Sequence, residues 1–278
     1  MTLNVTSTSH ATGINKRYSG IDSSKYLGKV EKITRVTDRK VFLEGPAVNR
    51  AGEVLFTNVP MEKILKWSPS EKKLTVFREK SNKANGLLFD PQGRLLACEG
   101  GAGRVTRTNL KTGKIAVLAD KFNGFPLAAP NDLELTASGK LFFTSRPGTT
   151  DPRKGNPNAV YRLDLRKGTI HHEAGTGKKG FTGNGGPAKA ATLSGPKGIA
   201  VGPRGNIYLA DTESHSVRMI DRQTGRLELI AGDGKKGDGP EGDPLKCRMD
   251  RLHGIFVDSK GVIYVGDTNT HRVRAIRP

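Results

Sequence analysis

PKGIAVGPRGNIYLADTESHSVRMID (196–221) is answered 56 residues later by LHGIFVDSKGVIYVGDTNTHRVRAI (252–276). Gly198 falls on Gly254, Tyr208 on Tyr264, Asp211 on Asp267 and His215 on His271. A fixed period of this size marks a repeat architecture, in which each unit buries its apolar face against the next. Within the clearer copy four short strands follow one another: GIAVGP (198–203), NIYLAD (206–211), SVRMID (216–221) and RLELIAG (226–232). Pro203-Arg204-Gly205 and Gln223-Thr224-Gly225 supply the turn chemistry between them.

The same grammar extends back along the chain. PNDLELTASGKLFFTS (130–145) leads to AVYRLDL and GTIHHEA, and ANGLLFDPQGRLLACE (84–99) leads to GRVTRTN and GKIAVLAD. EGPAVNRAGEVLFTN (44–58) leads to KILKWS and KKLTVFRE. Five repeats therefore start near residues 43, 84, 130, 196 and 252, and the last holds only three strands. These repeats predict an all-β fold, a β-propeller of four-stranded blades over residues 29–278. VEKITRV (30–36) is expected to pair with the last blade and close the ring, which removes an exposed sheet edge. A sixth blade stays open as an alternative. Residues 1–28 form a basic polar segment with too little strand pattern to build one.

Composition agrees with this reading. The 278 residues include 35 Gly and 15 Pro, and aromatics make up only 6%. Two cysteines, Cys98 and Cys247, make neither a disulfide framework nor a zinc motif. No apolar run reaches the ~18 residues of a membrane span, and the N-terminus has no signal-like segment. A soluble, cytoplasmic monomer that does not touch membranes is the resulting expectation. The net charge of +19 attracts anionic small molecules or polyanions, though Lys and Arg are spread through every repeat.

Long loops occupy one face of the expected ring, at 146–158, 175–195 and 233–251, and with Lys197 they carry twelve Lys/Arg against six Asp/Glu. Function usually sits on such loops. At the start of each innermost strand the repeats align Glu44, Asn85, Asn131, Lys197 and His253, which would converge on the central channel. Glu and Asn oxygens suit a hard cation, while polar residues before Gly are also ordinary turn chemistry. The repeated Asp211/His215/Arg218 and Asp267/His271/Arg274 read as structural ties between hairpins, and Pro187 as the start of a short helix. The carboxylates of DGKKGDGPEGD lack the spacing of a calcium loop.

EGPAVNRAGEVLFTNVP, ANGLLFDPQGRLLACEGGAGRVTRTNLKTGKIAVLADKFNG and APNDLEL resemble the gluconolactonase/senescence-marker-protein family of six-bladed propellers, over residues 43 to 165. AGTGKKGFTGNGGPAKAATLSGPKGIAV and LADTESHSVRMID resemble NHL repeats. The first resemblance implies a metal-dependent hydrolase of lactones or related esters, with a divalent ion (Ca, Mg or Zn) at the channel mouth. It places the metal on Glu44 and Asn131 and substrate contact on Asn85. Two further positions depart from the family, which has Asn and Asp where this chain has Lys197 and His253, and Ser145 replaces a further aspartate. His253 then stands as substitute ligand or catalytic base, and Lys197 as catalytic oxyanion donor or substrate contact. The expected ligand is a lactone or sugar acid. The second resemblance implies the alternative, a non-catalytic propeller that binds protein or nucleic acid through its basic loop face. Interleaved aromatics would mark single-strand RNA readout. The long loops offer only Phe181.

Overall fold

Turn chemistry repeats faithfully in the structure, a computed structural model that describes residues 32–147 and 157–277. The turn between the first two strands of each repeat ends on a glycine with positive φ: Gly52, Gly93, Gly139, Gly205 and Gly261. Side-chain oxygens tighten several of these turns. Asp90 Oδ1 accepts from Arg94 N at 2.9 Å, and Asp258 Oδ1 from Val262 N at 2.9 Å.

Five antiparallel sheets result. The first is β1 (Leu43–Val48), β2 (Val54–Asn58), β3 (Lys63–Ser68) and β4 (Lys73–Arg78). The second is β5 (Ala84–Phe89), β6 (Leu95–Glu99), β7 (Arg104–Thr108) and β8 (Ile115–Ala119), followed by a small hairpin of β9 (Lys121–Phe122) and β10 (Phe125–Pro126). The third is β11 (Ala129–Leu135), β12 (Lys140–Arg146), β13 (Ala159–Asp164) and β14 (Thr169–Ala174). In the fourth, β15 (Gly186–Pro187) adds to the outer edge of β16 (Pro196–Val201), β17 (Ile207–Asp211), β18 (Ser216–Ile220) and β19 (Arg226–Ala231). The fifth is β20 (Leu252–Val257), β21 (Ile263–Asp267) and β22 (Arg272–Ile276). The sheets are the blades of a five-bladed propeller.

The innermost strands pack in succession, β1 on β5, β5 on β11, β11 on β16 and β16 on β20. Glycine permits that close approach. A Cβ on Gly45 would lie 2.1 Å from Asn85 O, and one on Gly198 would lie 2.3 Å from His253 O. In the third blade Asp132 stands where the others have Gly, and its Oδ2 accepts from Ile199 N of the next blade at 3.3 Å. Apolar clusters fill the wedges between blades, among them Leu96, Val105, Leu141, Phe143 and Tyr161 between the second and third.

The junction between the fifth and first blades is different. A Cβ on Gly254 would meet nothing within 4 Å, and Phe256 and Val273 are exposed. Among the described residues the expected closing strand at 30–36 is not seen: residues 32–36 form no strand, and residues 1–31 lie outside the described residues. The fifth sheet therefore has three strands among the described residues. The expected helix at Pro187 is also corrected. Pro187 pairs with Arg226 as part of β15, and only a single 3-10 turn, Ala188–Ala190, follows. The glycines on either side favour turns over helix propagation.

The repeated Asp and Arg are structural ties, as expected. Arg218, fully buried, donates to Asp211 Oδ2, Asn184 Oδ1 and the carbonyls of Thr182 and Thr192. Arg274 donates to Asp267 Oδ2 and Asp238 Oδ1. Asp211 and Asp267 each accept a backbone N–H at 2.7 Å, from Ser194 and Asp250. His215 and His271 end 3-10 turns in the left-handed conformation, and His215 Nδ1 also accepts from Arg251 N at 3.2 Å.

Candidate functional site

In every blade the pairing of the innermost strand shifts register at, or one residue before, the mouth residue. The shifts lie between Glu44 and Ala47, Ala84 and Leu87, Pro130 and Leu133, Pro196 and Ile199, and Leu252 and Ile255. A bulge re-aims the side chain it carries. Each of Glu44, Asn85, Asn131, Lys197 and His253 sits at or within such a shift. The periodicity therefore placed a real structural device.

The five do come together. Glu44, Asn85, Asn131 and Lys197 line one cavity of about 400 Å³, with Phe42, Val59, Pro60, Lys83 and Arg146. His253 adjoins it: Lys197 Nζ lies 2.8 Å from His253 Nε2, and His253 Nδ1 lies 3.9 Å from Glu44 Oε1. Burial, then the positive charges of Lys197 and Arg251, push His253 down to about 4. The imidazole is thus neutral near pH 7, accepting from the Lys197 ammonium. Burial also lowers Lys197, and Arg251 and Arg146 add to that effect while Glu44 opposes it. Burial raises Glu44, against the pull of Lys197 and Arg146.

Asn85 and Asn131 are buried, and the backbones of Asn85 and Lys197 are tied to the scaffold. Thr57 Oγ1 donates to Asn85 O at 3.1 Å, and Thr144 Oγ1 donates to Lys197 O at 2.7 Å. Ser145, where the family has an aspartate, is buried, and its Oγ has no hydrogen-bond partner among the described residues. Lys83, Arg146 and Arg251 were missed in the linear reading. The repeat alignment held a signal for two of them, since Lys83 and Arg251 stand two residues ahead of Asn85 and His253, where the fourth blade has Gly195.

The description "SMP-30/Gluconolactonase/LRE-like region" matches residues 42–278. The chain belongs to this family. A gluconolactonase of Zymomonas mobilis is 26% identical over 254 residues, covering 80% of this chain. The chain spans only 65% of that relative's length. NHL repeat-containing protein 2 of Bos taurus is 28% identical over 126 residues, 41% of this chain and 17% of that protein, consistent with the NHL-like wording of the later blades. Two solved structures share the fold. A gluconolactonase from Xanthomonas campestris superimposes with a TM-score of 0.64 at 22% identity, covering 87% of this chain and 77% of that one. The calcium-binding protein regucalcin from Agrobacterium tumefaciens gives 0.60 at 18% identity, covering 85% and 71%.

The family resemblance implies a divalent ion on Glu44 and Asn131, with His253 as the substitute ligand, and the side chains here do not fit one. His253 Nε2 is occupied by the Lys197 ammonium, and Lys83, Arg146 and Lys197 share the cavity with Glu44 as its one lining carboxylate. Among the described residues no three His, Cys, Asp or Glu side chains gather in a metal-holding group. At an effective dielectric near 20, a doubly charged ion about 4 Å from one ammonium is repelled by roughly 8 kcal/mol. The carboxylates of the 233–243 loop are committed elsewhere: Asp233 to Arg248, Asp238 to Arg272 and Arg274, and Asp243 to Lys246. No helix among the described residues is long and apolar enough to cross a membrane.

Proposed function

We propose that this propeller opens lactones or closely related esters at the channel mouth, using its own side chains in place of a metal ion. The observation that carries the reading is the chain Lys197–His253–Glu44 at the cavity's edge, in a protein of the gluconolactonase-like family. A cavity of about 400 Å³ is in the range that encloses a small ligand.

Hydrolysis needs a base for water and a positive partner for the developing oxyanion. Glu44 is the base: its carboxylate takes a proton from water as the oxygen attacks the lactone carbonyl. Lys197 faces the oxyanion as its charge grows. When the tetrahedral adduct collapses, the ring C–O bond breaks and the leaving alkoxide recovers the proton from Glu44. The product is a hydroxy acid, ionised in water. His253 is a positioning residue, because its Nε2 holds the Lys197 ammonium and its Nδ1 faces Glu44. Asn85 and Asn131 offer amide groups for hydroxyls of the substrate.

The purified protein is assayed against a panel of sugar lactones with a pH indicator, before and after exhaustive chelation. Ring opening is expected to survive chelation, and Glu44→Gln to lower kcat by about 10²–10⁴, the range of a positioned base. Activity lost on chelation and restored by a divalent ion would overturn the metal-free arrangement. A panel that opens no faster than in buffer would overturn the hydrolase.

A further inference from the structure

Three residues, in the second, fourth and fifth blades, occupy one structural position two places ahead of the mouth residue. Gly195 precedes Lys197 with φ +62°, Lys83 precedes Asn85 with φ +52°, and Arg251 precedes His253 with φ +57°. This left-handed backbone is natural for glycine and costs an ordinary L-residue roughly 1–2 kcal/mol. Asn or Asp would tolerate it best after glycine. Two of the three positions nevertheless carry long cationic side chains, so the backbone geometry does not explain the choice. What Lys83 and Arg251 add is positive charge at the mouth of the channel.

Among the described residues the charge lining the cavity is balanced only in part. Lys83, Arg146 and Lys197 line the cavity, and among the described residues none of them forms an ion pair with a carboxylate. Glu44 is the one carboxylate of the lining, leaving a surplus of two positive charges there (three minus one). Arg251 stands beyond them, paired with Glu213 at 2.9 Å and acting on both Lys197 and His253. Lys197 is held by a neutral imidazole rather than by an anion. Like charges gathered around a cavity repel one another until a ligand supplies the counter-charge.

We infer that the ligand of this cavity carries an anionic group, a carboxylate or a phosphate ester, received by Lys83 and Arg146 with the charge of Arg251 beside them, while Lys197 stays at the lactone carbonyl. The inference rests on the cavity being the binding site of the proposed lactonase. It narrows the substrate to an anionic lactone, such as one formed from a sugar diacid or a sugar phosphate. The left-handed Lys83 and Arg251 are then specificity residues, kept despite the backbone cost.

The test uses binding, so that it does not depend on catalysis. The full chain is titrated calorimetrically with three sugars that differ only at the end away from the reacting carbon: methyl glucoside, methyl glucuronide and methyl glucoside 6-phosphate. At least one anion is expected to bind roughly tenfold or more tightly than the neutral sugar, about 1.4 kcal/mol. The carboxylate and phosphate arms identify which group the site prefers. Arg251→Gly and Lys83→Gly install the residue that the fourth blade already uses, so Tm is expected to hold or rise while the anion preference falls several-fold. Equal binding of the three, binding of neither anion, or a preference unchanged in both variants would overturn the inference. Opening of neutral lactones without anion preference would sink it and leave the lactonase reading standing. Anion binding without opening of any lactone would do the reverse.

Discussion

Replacing Arg218 with Met removes the charge at the centre of the fourth blade while keeping most of the side-chain volume. Arg218 and Asp211 are both fully buried, and the guanidinium also satisfies Asn184 Oδ1 and the carbonyls of Thr182 and Thr192 at 3.0, 2.8 and 2.6 Å. Methionine leaves the Asp211 carboxylate with only the Ser194 N–H and the Ser214 hydroxyl, and strands two loop carbonyls. Breaking a buried pair from one side costs about 3–5 kcal/mol. Against a total stability of roughly 5–15 kcal/mol, that is about a fifth or more of the margin of a typical domain. The 56-residue copy provides the control. Arg274 lies at the less enclosed fifth blade, and one of its partners, Asp238, is 44% exposed, so water replaces part of what Arg274→Met removes. Its loss is expected near 2–3 kcal/mol, with only the buried Asp267 left short of a partner. Urea unfolding followed through the single tryptophan, Trp67 in the first blade, compares the two variants with the parent. An Arg218→Met loss below about 1 kcal/mol, or one no larger than that of Arg274→Met, would refute the buried-charge argument.

Two further variants probe the ring itself. Gly198→Ala puts a Cβ 2.3 Å from the His253 carbonyl and is expected to cost about 1–3 kcal/mol as β16 is pushed off β20. Gly254→Ala meets open space and should fall within about 0.5 kcal/mol of the parent in the same urea titration. Equal losses would mean that the fifth blade presses on the first as tightly as the others do. Glu134, on the inner strand beside Asp132, is raised to about 7, first by burial and then by the neighbouring carboxylate. A folded-state value above the unfolded one means stability that is present below pH 4.5 and lost as pH rises through 7. Glu134→Gln does not titrate there, so its stability relative to the parent should improve between pH 4.5 and 8 by up to about 3 kcal/mol. A difference that stays flat across that window, measured by urea midpoint at each pH, would contradict it.

Much of the architecture is written in local sequence. Hairpin turns, strand alternation and the glycine that lets one inner strand touch the next recur within each repeat, so 196–221 and 252–276 alone point to blades. Aligning the repeats also found the mouth residues, because the same bulge re-aims Glu44, Asn85, Asn131, Lys197 and His253. The outcome of their meeting was not local. Glu44 and His253 come from opposite ends of the repeat array and meet only when the blades curve into a ring. The packing of the fourth blade on the fifth sets the Lys197 ammonium against His253 with Arg251 nearby, and the curving of the other blades adds Lys83 and Arg146. Charge acts through space over several ångströms, whereas a motif is read along the chain. The linear pattern therefore suggested a cradle for a cation, and the folded ring surrounds the same cavity with positive charge. The loose fifth-to-first junction has the same origin: each repeat specifies its own strands and turns, but closure depends on the summed angle between blades.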